Sequence, residues 1–576
     1  MISNLLNKFR NTQSKPETGK SIALEGTQKA RTQQAGNRIV IVMGTIGLIY
    51  SVLVGKLIWL GMQEEGGLAS RFAVDRSTSA IRPKLVDRNG QILAMDIKMA
   101  SLFAEPRRIV DVDETMELLT TVLPNLNYKK TYKKLSSKAG FVWIKREMTP
   151  KQQNEILALG IPGIGFRNEN RRFYPGGPVA SHILGLVNID NKGIAGIEKY
   201  LDDNGLADLH NAGFAVKQDL KPVKMAIDLR VQHAVRDELT KAIERYRAIA
   251  AAAVVMDVNT GEIRGMVSLP DYNPNNPVDA AKSDRLNRMS AGLYEMGSTF
   301  KTFTTAMALD SGLVKIQDRF DARKPIRIAR HKISDFHGKR RILSVPEIFI
   351  YSSNIGTAKM ADKVGIKAHQ EFLTRMGLLT RMQGFELPEI AKPTQPKKWK
   401  KINSITISFG HGVSTTPLQT AMAAAALMNG GKLIPPTLFP RTKEEADKIA
   451  TRVVSEKTSG LMRYLFRLNV LKGSGRKSEV QGYVVGGKTG TAEKVVNGRY
   501  SRAKRFNAFL SAFPADNPQY VVLVIVDEPK PEKGNRYATA GWNAAPMVKA
   551  IISRTGPMLG VQPDFSEQST AILSSY

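Results

Sequence analysis

The chain has no cysteine in 576 residues. That absence excludes disulfides, thiol catalysis and cysteine-ligated metal, and it fits an extracytoplasmic protein. Zinc-ligand spacings are also missing, as are internal repeats, aromatic RNA-binding motifs and any recognisable helix-turn-helix. Acidic residues are in deficit, with 52 Asp and Glu against 84 Lys and Arg, a net charge of +32. Such a balance suits an anionic membrane or acidic polymer, while the missing motifs argue against nucleic acid as a partner. Lys397, Lys398, Lys400 and Lys401 flank Trp399 in a Pro-containing loop and read as a solvated charge cluster.

Long apolar runs are absent with one exception. Ile39 to Gly55 carries no charge; Lys56 interrupts, and Leu57 to Met62 resumes. At about 1.5 Å per residue, residues 39–62 cover the roughly 30 Å hydrocarbon core of a bilayer. Lys56 can snorkel to the outer interface, where Trp59 is also comfortable. The preceding tail has seven basic residues against Glu17 and Glu25, net +5. Positive charge stays inside, so residues 1–38 are expected in the cytoplasm and everything after 62 beyond the membrane. A cleaved signal peptide is the competing reading, but its basic region would be unusually long and no A-x-A site is evident.

Beyond the expected anchor the chain divides by character. Residues 63–225 mix short strand-like runs with polar helices, around turns at Asp87-Arg-Asn-Gly90 and Tyr174-Pro-Gly-Gly177. This region pairs no nucleophile with a base and reads as an elongated pedestal. From 226 to 556 an amphipathic helix (228–247) precedes a β-hairpin (251–258 and 263–269), with further strands at 484–491, 506–513 and 520–527 and a helix at 544–552. The expected fold class is α+β, a mostly antiparallel sheet flanked by helices. Residues 557–576 read as a loose tail.

Chemistry concentrates in three strings. In Ser298-Thr-Phe-Lys301 the i, i+3 spacing puts a hydroxyl and an amine on one helix face, where the amine can take the proton of a serine nucleophile. Two other copies, Ser474-Gly-Arg-Lys477 and Ser501-Arg-Ala-Lys504, sit among basic and polar residues and read as surface loops. Only Ser298 opens an apolar helix, through Phe300, Phe303, Ala306, Met307 and Leu309. Ser352-Ser353-Asn354 lies between helical patterns, after a capping box at Ser344-Val-Pro-Glu347. Lys488-Thr489-Gly490 follows an apolar run and stands among glycines, which admit close backbone approach to an edge strand. S-x-x-K, S-x-N and K-T-G in this order are the signature of enzymes that react with penicillin.

Order, spacing and context together resemble the class B penicillin-binding proteins. The context lies in Asp87-Arg-Asn-Gly-Gln-Ile-Leu-Ala94, Gly193-Ile-Ala-Gly-Ile-Glu-Lys-Tyr200, Met256-Asp-Val-Asn-Thr-Gly-Glu262, Phe409-Gly-His-Gly-Val413 and Lys488-Thr-Gly-Thr-Ala492, and the likeness spans about residues 80–555. The most similar members are the cell-division (septal) peptidoglycan D,D-transpeptidases, with the elongation-specific enzymes as a near alternative. A beta-lactam sensor without turnover is a third reading. By this resemblance Ser298 is the nucleophile, Lys301 its base, Ser352 a proton relay and Lys488 a second cation. Asn354 would hold the stem-peptide amide, while Thr489, Gly490 and Thr491 line the place of the terminal carboxylate. Ser298 and Thr491 would supply oxyanion-hole N–H groups, and His411 a structural role. The resemblance implies no metal or organic cofactor. Its implied partners are peptidoglycan stem peptides, beta-lactams and division membrane proteins including the glycosyltransferase FtsW. Its implied location is the inner membrane at the septum, with the catalytic domain in the periplasm. Met296 stands where the family usually has proline and is expected to change loop stiffness more than chemistry.

Overall fold

A computed structural model describes residues 43–56, 81–206, 220–328, 331–496 and 498–565. Met43 to Lys56 forms a helix whose residues are all exposed. No helix among the described residues is long and apolar enough to cross a membrane. The expected cytoplasmic tail and both ends of the expected span, 39–42 and 57–62, lie outside the described residues.

In residues 81–206 the main strands are β1 (Ile92–Ala104), β2 (Val142–Met148) and β3 (Ile164–Phe173), with β1 paired antiparallel to both others. β1 is far longer than the short runs expected. Its pairing with β2 shifts register at Leu102, which breaks the two-residue alternation that marks a strand in sequence. Helices Val112–Val122 and Pro150–Ala158 are capped by Asp111 and Thr149, and pack Met116, Leu119 and Ile156 on Leu102 and Met148. A second cluster is ionic. Glu198, with no exposure, holds Arg82 and Arg172 at 2.7 Å each, while Asp202 and Asp96 complete the charges.

Asp87 of the first turn ties this region to the next. Fully buried, it accepts the N–H groups of Asn89, Gln91 and Leu229. Asp228 caps the helix Leu229–Tyr246, which leads into the central sheet of β4 (Ala250–Asp257), β5 (Ile263–Leu269), β6 (Gly486–Val496), β7 (Arg499–Phe513) and β8 (Tyr520–Asp527). Its order is β6-β7-β8-β4-β5, antiparallel throughout. Both faces are covered, so the strands read as continuous apolar runs rather than alternating ones. Ala251, Ala253 and Val255 pack under the Leu229–Tyr246 and Ala544–Met558 helices; Ala252, Val254 and Met256 face a larger helical layer that includes Phe300 and Phe303. The helix Pro417–Met428 in that layer is buried along its whole length, which is why it carries no amphipathic signal.

The C-terminal end corrects one expectation. The last helix runs to Met558, and Val561 is buried while accepting the Tyr483 hydroxyl. The chain therefore stays packed through at least Val561 and is not loose from 557; a single buried valine is too short a pattern to show in a polar tail.

Candidate active site

β6 is the edge strand of the sheet, and its free side meets the serine turn. Side chains alternate faces along a strand, so Lys488 and Gly490 point one way, Thr489 and Thr491 the other. A Cβ on Gly490 would lie 2.6 Å from the Met296 carbonyl and 2.7 Å from Thr299 Cγ2. Only glycine allows the strand this close to the turn carrying Ser298. That turn is a 3₁₀ segment, Gly297–Phe300, running directly into the helix Lys301–Asp310. A Cβ on Gly297 would in turn stand 2.9 Å from the Thr491 carbonyl, and Gly297 has φ +52°. In an extended strand the N–H and C=O of one residue point to the same side. Thr491 therefore offers its N–H toward the serine turn and away from β7.

Lys301 and Lys488 converge on Ser352. Lys301 Nζ donates to the Ser352 carbonyl at 2.5 Å and to its Oγ at 3.1 Å; Lys488 Nζ reaches the same Oγ at 3.0 Å and the Thr489 carbonyl at 3.2 Å. Both lysines are almost wholly buried, at 1% and 0% exposure. Ser352 takes φ +55°, a left-handed conformation that a non-glycine residue adopts at a cost of about 1–3 kcal/mol. The strain turns its hydroxyl between the two ammonium positions.

Burial is the main force on both amines. It holds Lys301 well below the ordinary lysine range, helped by the neighbouring Lys488 charge and opposed by Asp335. Burial alone pushes Lys488 down to about 7. Lys301 is also the first residue of its helix, where the partial positive charge of the N-terminus disfavours a cation. The arrangement disfavours the Lys301 ammonium and favours the neutral amine.

The remaining expected residues are placed as follows. Asn354 opens the helix Asn354–Val364 and donates its side-chain amide to the Ser334 carbonyl at 3.0 Å. Thr489 Oγ1 pairs with Ser474 Oγ at 2.6 Å, and Thr491 Oγ1 accepts the Ala540 N–H at 3.1 Å. A hydroxyl that accepts still has a proton to donate, so Thr491 can serve an anionic ligand. His411 is partly buried, its Nδ1 enclosed and without a partner among the described residues, and desolvation lowers its pKa to about 4. It is a neutral ring packed against Phe409 and Tyr500. Met296 has φ −75°, within proline's range, but its side chain is 1% exposed in the main core, so it also fills space.

Four contributors escaped the sequence reading. Asp335 takes the Ser353 hydroxyl at 2.8 Å and the Ile355 N–H at 2.9 Å, fixing the turn behind Ser352. Asn469 donates to the Gly487 carbonyl at 2.7 Å and accepts the Ser474 N–H at 3.1 Å, holding β6 in place. Glu295 accepts the Gly412 N–H at 2.8 Å and the Tyr500 hydroxyl at 3.1 Å. Ser474, expected in an uninvolved surface loop, instead contacts Thr489. The third S-x-x-K copy is also not in a loop, since Ser501 to Lys504 lies on β7.

Comparison with known proteins agrees with this geometry. A model of the penicillin-binding protein transpeptidase domain matches residues 251–553, and one of the penicillin-binding protein dimerisation domain matches residues 77–204. The chain is 38% identical to the probable peptidoglycan D,D-transpeptidase FtsI of Caulobacter vibrioides, across 91% of this chain and 89% of that protein. It is 31% identical to the probable peptidoglycan D,D-transpeptidase PenA of Neisseria meningitidis serogroup B, covering 93% and 95%. Against the peptidoglycan D,D-transpeptidase FtsI of Escherichia coli K12 the identity is 29%, again over 93% and 95%. With both domains matched and a relative 38% identical across 91% of this chain, the chain belongs to the class B penicillin-binding proteins.

Proposed function

We propose that this protein is a septal peptidoglycan D,D-transpeptidase working through a serine acyl-enzyme. The observation that carries the reading is the Ser352 hydroxyl held between two buried amines, one of them three residues beyond Ser298. Neutral Lys301 takes the proton of Ser298 as its Oγ attacks the carbonyl between two terminal D-alanines. The Ser298 and Thr491 N–H groups stabilise the oxyanion; losing one such donor typically costs about 10²–10³ in rate. Ser352 passes the proton toward the leaving amine, and Lys488 with the Thr489 and Thr491 hydroxyls holds the terminal carboxylate beside Gly490. Asn354 faces the stem-peptide amide. A second amine then takes the acyl group and forms the cross-link; water in its place gives a minor carboxypeptidase reaction. Beta-lactams present the same bond and would remain on Ser298 as a long-lived ester.

The apolar run at 39–62 supports a single inner-membrane anchor, with residues 1–38 in the cytoplasm, a pedestal over 63–225 and the transpeptidase domain from 226 in the periplasm at the septum. Such an anchor suits docking to division membrane proteins including FtsW. The test is labelling with a fluorescent penicillin and location of the adduct by peptide mass spectrometry. An adduct on Ser298, lost in Ser298→Ala, is expected; labelling that survives the substitution refutes the assignment. Filamentation on depletion supports the septal role, and rounding the elongation role.

A further inference from the structure

Beside the Thr489–Thr491 end of the site stands a group of exposed aromatic and basic side chains with no part in the chemistry above. Trp542 and Tyr537 stack at 6.3 Å between ring centroids and are 36% and 51% exposed. Lys477 places its ammonium 3.1 Å from the centre of the Trp542 ring. The group is fastened to the site at two points. The Ala540 N–H, two residues before Trp542, donates to Thr491 Oγ1, and the turn preceding Lys477 contributes the Ser474 hydroxyl to Thr489. Asn507, fully buried on β7 opposite Thr491, donates to the Ala538 carbonyl and the Asn543 side chain. The segment carrying Trp542 is thereby held from both ends, and the shelf is built rather than incidental.

Resting on the transpeptidase reading, we propose that Trp542, Tyr537 and Lys477 form the subsite for the acceptor strand, an amine-bearing stem peptide with its own carboxylates. The leaving D-alanine is an amine attached to a carboxylate, and it departs from the Thr489–Thr491 end. The incoming amine must occupy that vacated place to reach the acyl carbonyl, so the rest of its strand extends over whatever lies beyond the two threonines. There the shelf offers flat apolar faces for peptide and sugar, and a cation fixed by a ring face for a carboxylate. The amine nitrogen attacks the acyl carbon, the C–N bond forms as the bond to Ser298 Oγ breaks, and the amine proton returns to that oxygen.

The test uses the full-length chain in detergent with a thioester stem-peptide donor. Two acceptors are compared, a free D-amino acid and a disaccharide stem peptide, and the ratio of aminolysis to hydrolysis is read by mass spectrometry. Trp542→Ala and Lys477→Gln should each lower the ratio about tenfold with the stem peptide. With the D-amino acid they should change it by less than about twofold, because that acceptor ends before the shelf. Penicillin acylation should be unaffected and Lys477→Arg should retain the ratio. An unchanged ratio with the stem peptide, or an equal fall with both acceptors, overturns the subsite. Should Trp542→Ala fail to fold, seen as lost penicillin labelling, Lys477→Gln decides alone. A wild-type protein that takes no label on Ser298 would instead refute the underlying transpeptidase reading.

Discussion

Replacing Lys488 by methionine isolates the electrostatic part of the mechanism. Lys301 Nζ and Lys488 Nζ reach one hydroxyl oxygen at 3.1 and 3.0 Å, so they stand no more than about 6 Å apart. At an effective dielectric near 20, two like charges at that distance repel by roughly 3 kcal/mol, about 2 pKa units. Two amines this close titrate as a pair. Burial lowers both, Lys301 well below the ordinary lysine range with the Lys488 charge adding to the effect, and Lys488 to about 7. Removing Lys488 removes the repulsion, so Lys301 binds its proton more tightly and needs a higher pH to act as base. The acidic limb of the acylation rate against pH should therefore move upward by up to about 2 units. Stopped-flow acylation with a fluorescent penicillin from pH 5 to 10 measures this. Lys488→Arg, which keeps the charge, should leave the limb low while changing the plateau. A limb that stays put in Lys488→Met, or moves downward, would refute the account of how Lys301 is kept neutral.

Other consequences follow from single contacts. In Lys301→Met the fold should gain stability at neutral pH. The native Lys301 pKa is depressed, so between it and the unfolded value near 10.5 the unfolded chain binds the extra proton, and stability rises with pH across that window. Calorimetry should show a higher Tm at pH 7 and a shallower rise toward pH 10 than in the wild type; an unchanged slope would contradict the shift. Gly490→Ala drives a Cβ into the Met296 carbonyl and should cut the acylation rate about 100-fold by displacing β6, with the circular dichroism spectrum retained. Glu198→Gln leaves Arg82 and Arg172 short of a buried counter-charge and should cost about 3–5 kcal/mol. Limited proteolysis would show residues 81–206 cut sooner while Ser298 remains reactive to penicillin.

What could be read in the sequence was what its neighbours in sequence determine. Ser298 opens an apolar helix, the Ser344–Glu347 capping box forms, and the hairpin at 251–269 turns at Gly261, φ +75°. Elements failed to show where tertiary context sets the pattern. The Pro417–Met428 helix is buried on every side and has no periodicity, and β1 loses its alternation at the register shifts. Asp335 lay hidden in a segment whose nine basic residues between Arg319 and Arg341 suggest only a solvated surface. Its role depends on a fold that returns residue 335 to the turn at 353.

The three S-x-x-K copies show why the letters alone are insufficient. Each supplies a hydroxyl and an amine. In the second, Lys477 lies over an exposed indole; in the third, the half-exposed Lys504 stands 3.6 Å from the Glu528 carboxylate. Only the first buries its amine, sets it at a helix start and shares the Ser352 hydroxyl with a second amine. All three conditions oppose the ammonium, and each costs stability. The chain therefore carries at Lys301, Lys488 and Ser352 unfavourable features that packing alone would remove. Their coincidence at one strand edge is what separates Ser298 from its two copies.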